Sequence, residues 1–184
     1  VRVAKHPERI YADFQAIPKL VVQTLLFIEN RELLEQKYPH RNPAVEWNRL
    51  GAAVISSLYQ VVDPDARRHG GSTLATQIEK YRHSAEGRTG SVTDKVRQMV
   101  SASLRFYMDD EDTMAARQRI VVDYLNSTPL AGRPGFGEVI GLGDGLWGWY
   151  GSDLATVTRV LNEPAGDTGE DLLRRGTVFK QVLS

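Results

Sequence analysis

The sequence predicts a mainly α protein, and three observations carry that prediction. Five or six segments repeat apolar residues at spacings of three and four, no run alternates convincingly at a period of two, and proline, glycine or capping residues punctuate the segments. With 184 residues and no internal repeat, one domain spanning 1–184 is expected. Hydrophobic and charged contents of 41% and 25% exclude disordered and fibrous classes. The 23 basic and 23 acidic residues cancel, so no bulk charge draws the chain to nucleic acid. Cysteine is absent, which excludes disulfides and thiolate metal sites, and His6, His40, His69 and His83 show no ligand spacing, which argues against a metal held by histidines.

Residues 1–16 show no firm period and read as extended or irregular. Ile17-Pro18 opens the first helix, since proline is tolerated at the first helical position. From Leu20 to Ile28 the run is apolar apart from Gln23 and Thr24, so burial on most sides is expected. The run is too short to cross a bilayer. It ends in Glu29, a carboxylate at the mouth of an apolar helix and hence an acid-base candidate. The alternative is a surface glutamate paired with Arg31 or Arg41.

Gln36 to Glu46 reads as a basic loop. Trp47, Leu50, Val54, Leu58 and Val61 then mark an amphipathic helix, which suits either a core or a membrane interface. After it comes GGSTLATQIEK, Gly70 to Lys80, where Ser72 or Thr73 can cap a helix. Leu74 and Ile78 should face a core, while Thr73, Gln77 and Lys80 recur at i, i+4 and i+7 on one polar face. A hydroxyl, an amide and an ammonium beside a helix N-terminus suit an anion. The plainer reading is a capped surface helix with a solvated lysine.

Ser91 and Asp94 have capping-box spacing ahead of a helix through Val96, Val100, Leu104 and Tyr107. The acidic run Asp109–Asp112 precedes another helix containing Met114, Val121, Tyr124 and Leu125. Gly132 to Gly151 is dense in glycine and aromatics, and it lacks both the spacing and the preceding strand of a dinucleotide fingerprint. Close backbone packing, with aromatics available to sugars, is the better account. Leu172, Leu173, Val178, Val182 and Leu183 predict a closing helix over 171–184.

Six of these stretches, in order, resemble the family-51 glycosyltransferases, the peptidoglycan polymerase domains of penicillin-binding proteins and monofunctional transglycosylases. IPKLVVQTLLFIENREL resembles the helix ending in E-D-x-x-F, and GGSTLATQIEK resembles G-G-S-T-x-T-Q-Q-x-x-K. DKVRQMVSA is similar to R-K-x-x-E-x-x-x-A, and RIVVDYLN to R-I-L-E-x-Y-L-N. GLGDGLWGWYG and RRGTVFKQVL resemble the glycine-to-Y-F-G segment and the final helix.

The resemblance implies a lysozyme-like single domain with an amphipathic, membrane-facing flap, and the start at Val1 in place of a methionine leads to the expectation of a piece excised from a longer, membrane-anchored protein. It implies localisation on the extracytoplasmic face of the bacterial inner membrane. The partners implied are lipid II, the growing glycan strand, the membrane surface and a fused or associated cell-wall domain, with no nucleic acid. In the implied reaction the 4-hydroxyl of lipid II attacks the anomeric carbon of the growing chain and expels undecaprenyl pyrophosphate with inversion.

By position Glu29 is the implied base, and Thr73, Gln77, Lys80 and Lys95 hold the diphosphate. The resemblance fixes no cofactor, and the one it suggests is a divalent cation such as Mg at the diphosphate. The family's second glutamate falls on Gln98, which cannot take up a proton, and a family arginine falls on Asp94. Asn30, Leu33, Thr76 and Val122 stand where the family has aspartate, phenylalanine, glutamine and glutamate. The histidine expected after Leu33 is absent, and 36–46 is longer than the family's connection. The chain therefore reads as a divergent glycosyltransferase of weakened activity. The rival class is a non-catalytic domain of the same fold that binds lipid-linked glycan or a cell-wall partner. Lytic glycan cleavage rests on fold analogy alone.

Overall fold

A computed structural model describes residues 7–37, 40, 74, 77, 78, 113–164, 166 and 168–184. Mainly helical structure is found, as expected. The chain forms two compact units, Val1–Ile28 with Gln118–Ser184, and Glu29–Arg117.

The first unit begins with a 3-10 turn, Pro7–Arg9, and helix α1, Lys19–Glu29. Pro18 starts α1 as expected, its carbonyl accepting from the amides of Val21 (2.9 Å) and Val22 (3.2 Å). Thr24 fits the apolar run because its hydroxyl donates to the Leu20 carbonyl at 2.8 Å. Burial falls on one face only: Val21 and Val22 are buried, whereas Phe27 and Ile28 are 64% and 60% exposed. This corrects the expectation of burial on most sides.

Helix α2, Met114–Ser127, buries Val121 and Leu125 as read from the sequence, with Met114 and Tyr124 half-buried and Ile120 buried in addition. At its end Asn126 grips the N-terminal segment twice. Its Oδ1 accepts from the Tyr11 amide at 2.9 Å, and its Nδ2 donates to the Tyr11 carbonyl at 2.8 Å. The asparagine of the Y-L-N stretch thus has a structural task. Asn126→Ala leaves both backbone groups without this partner and should cost about 2 kcal/mol, read as a lower urea midpoint at unchanged m-value.

Tyr11 is itself buried, with its hydroxyl accepting from Thr158 Oγ1 at 3.5 Å. Burial pushes the phenol above its ordinary value of 10.0, and the Thr158 bond opposes the shift. Because the folded state favours the neutral phenol, its contribution is complete below pH 10.0 and is lost as the pH rises through the folded value. Tyr11→Phe should flatten the alkaline limb of the stability-pH curve measured by thermal unfolding.

The expectation of no strand is overturned by a hairpin. Strands β1, Pro129–Arg133, and β2, Gly137–Ile140, pair antiparallel with a bulge between Leu130 and Arg133. Helix α3, Gly141–Tyr150, follows directly, so the glycine-dense segment is largely hairpin and helix. Gly151 closes α3, its amide bonding Trp147 O at 3.0 Å while Ser152 N bonds Leu146 O at 3.1 Å. The Arg9 guanidinium lies 4.7 Å from the Trp147 ring centroid and 3.4 Å from Asp144 Oδ1, fastening the N-terminal turn to α3.

Helix α4, Leu154–Asn162, is capped by Asp153, which accepts from Thr156 N at 2.9 Å, and it buries Leu154, Val157, Val160 and Leu161. Helix α5, Gly169–Leu183, starts two residues earlier than predicted, at the Thr168 cap. No α5 residue is buried, and Leu172, Leu173 and Leu183 are exposed. Arg175 helps anchor it: its guanidinium bonds Leu161 O in the last turn of α4 at 2.9 Å and the carbonyl of the cap residue Glu163. Such donors neutralise carbonyls that a helix end leaves unpaired. The Arg159–Glu163 and Arg174–Glu163 pairs, 2.8 Å and 2.7 Å, are exposed and add little.

In the second unit the described residues cluster around the chain after α1 and the start of α2. Leu33, standing where the family has phenylalanine, is still a buried apolar anchor. Leu74, Gln77 and Ile78 are helical, and Leu74 and Ile78 are buried as their spacing predicts. Among the described residues no helix is long and apolar enough to cross a membrane. The Trp47 helix and its proposed flap, most of the 36–46 loop, the Ser91 helix and the 109–112 acidic run lie outside the described residues.

Candidate active site

Glu29 is the last residue of α1 and is half-buried. A carboxylate in the last turn sits at the negative end of the helix dipole, so helix stability does not account for it there. The chain leaves the helix immediately afterwards. Leu33 N bonds Asn30 O at 3.3 Å and Glu35 N bonds Glu32 O at 3.1 Å, winding 30–35 into tight turns.

Two buried polar residues mark this exit. Arg117, 1% exposed, donates from Nε to Thr113 Oγ1 at 2.8 Å and from Nη1 to the Glu35 carbonyl at 3.2 Å. It ties the turns after Glu29 to the first turn of α2. Asn30, 3% exposed, has a buried Oδ1 that meets no hydrogen-bond donor among the described residues. An aspartate here would bury a charge where no described donor meets that oxygen, and a neutral amide is less costly to bury.

Glu29 and Gln77, 48 positions apart, meet: Gln77 Nε2 donates to Glu29 Oε2 at 3.2 Å. Among the described residues this is the hydrogen bond of the Glu29 carboxylate, and Arg41, one of the alternative partners read from the sequence, lies outside them. Leu74 and Ile78 hold the Gln77 backbone from the buried side of the same helix. The end of α1 and the middle of GGSTLATQIEK therefore converge on one carboxylate. Thr73, Lys80, Lys95, Gln98 and Asp94 lie outside the described residues.

Sequence reading missed Arg117 and the burial of Asn30. A signal existed for Arg117, which stands three and four positions before Ile120 and Val121 and so falls on the buried stripe of α2. Among the described residues no three His, Cys, Asp or Glu side chains are grouped to hold a metal ion. At Glu29 the described residues bring a carboxylate and a neutral amide together.

The chain matches the family described as transglycosylase over residues 1–162. That span covers most of the sequence and contains Glu29, Gln77 and every other candidate residue. The chain belongs to the transglycosylase family, whose domain serves glycan polymerisation in peptidoglycan synthesis. No curated protein matches the chain.

Proposed function

We propose that this domain is a divergent peptidoglycan glycosyltransferase that polymerises lipid II with release of undecaprenyl pyrophosphate. The observation that carries the reading is the Glu29–Gln77 pair, which joins two of the family-like stretches at one carboxylate. Glu29 removes the proton from the acceptor 4-hydroxyl as its oxygen bonds the anomeric carbon. The glycosidic pyrophosphate bond breaks on the opposite face, and its electron pair leaves with the diphosphate. Thr73, Lys80 and Lys95 receive that developing charge with hydroxyl and ammonium donors. A divalent cation such as Mg would add positive charge at the same oxygens.

The domain works on the extracytoplasmic face of the bacterial inner membrane, with lipid II and the growing strand as partners. Exposed Phe27 and Ile28, on the turn before Glu29, support a lipid-facing position for the end of α1. Gln98 and Asp94 favour a second reading, a domain of this fold that binds lipid-linked glycan without turning it over. Polymerisation of lipid II by the intact protein, compared with Glu29→Gln, separates the two. Polymer from the parent alone supports the enzyme, whereas retained lipid II binding without polymer supports the binding domain.

A further inference from the structure

The resemblance puts Gln77 at the diphosphate, yet its amide nitrogen is engaged at Glu29 Oε2, 3.2 Å away. An ionised carboxylate only accepts, so the amide must present Nε2 and not its oxygen to it. The contact is also well supported from behind. Leu74, 0% exposed, and Ile78 are buried on the same helical stretch, so the helix cannot turn Gln77 away without exposing both.

We propose that Gln77 is a positioning residue for Glu29: its amide holds Oε2 and leaves Oε1 directed to the acceptor hydroxyl. This rests on the reading of Glu29 as the base. The residue type suits the task. A lysine or arginine at the same point would add a full counter-charge and draw the carboxylate into an ion pair, whereas a neutral amide orients it and leaves its charge available for the proton. The bond is made by a single N–H, so replacing the donor alone should misorient the base without emptying the site.

The test is steady-state lipid II polymerisation by the intact protein carrying Gln77→Met, which keeps length and volume but donates nothing. The turnover number should fall about tenfold with KM for lipid II within about twofold of the parent. In a Glu29→Gln background the same substitution should change the residual rate by less than about twofold, because its effect passes through the carboxylate. A raised KM at unchanged turnover, or a full second loss in the Glu29→Gln background, overturns the proposal. Gln77→Asn, whose amide is one methylene too short, should give the same pattern and serves if the methionine variant does not fold. If Glu29→Gln is inactive and Gln77→Met fully active, the positioning role alone fails. If the parent makes no polymer, or Glu29→Gln polymerises as the parent does, the reading of Glu29 fails and the proposal falls with it.

Discussion

On the proposed reading, Glu29→Gln is expected to lower the rate of lipid II polymerisation by about 10²- to 10⁴-fold, the span associated with losing a positioned general base. The substitution is nearly isosteric and keeps an oxygen that can accept from Gln77, so binding and stability should hold while proton removal stops. Turnover should therefore collapse with little change in KM, and lipid II affinity in a direct binding assay should match the parent. The companion is Gln98→Glu. If a second carboxylate at that position takes part in proton transfer or in holding a cation, restoring it raises turnover in the parent background. It should not rescue Glu29→Gln, since the two groups would serve different atoms. Parental turnover in Glu29→Gln would remove this carboxylate from the chemistry.

How much of this was legible in the sequence follows from which interactions are local. Helix α1 was legible because Pro18 and the apolar run are neighbours in the chain, and Leu74 with Ile78 because four residues bring a helix back to the same face. The hairpin was not. Every β1 residue is exposed, and in β2 only Val139 is buried, so neither strand carries the alternation that betrays a half-buried sheet. Helix α3 was hidden by its composition, since glycine disfavours helix and only packing against other parts of the fold overrides that preference. At the site, the resemblance nominated both Glu29 and Gln77, but their bond spans 48 positions and no periodicity reports it. Asn30 and Arg117 were obscure for the same reason: a buried polar residue is explained by partners, or by their lack, that only the fold assembles.

Gly143→Ala should be strongly damaging to the first unit, and α3 supplies its own control. A methyl at position 143 would sit 1.9 Å from the Arg9 carbonyl oxygen and 2.7 Å from its carbon. Both are backbone atoms, so no rotamer relieves the overlap. Alanine gains about 1 kcal/mol over glycine in a helix interior, but pushing the Pro7–Arg9 turn off α3 also strains the Arg9 contacts with Trp147 and Asp144. A net loss of about 3 kcal/mol is expected. At Gly148 the same methyl would meet Phe136 at 3.6 Å and Val139 at 3.7 Å, ordinary contact distances, so Gly148→Ala should be neutral or stabilise by up to about 1 kcal/mol. Equilibrium urea unfolding of both variants beside the parent decides the matter. Opposite signs from one substitution five positions apart would establish that these glycines are spaced for the close approach of backbone to α3, and equal losses at both positions would refute it.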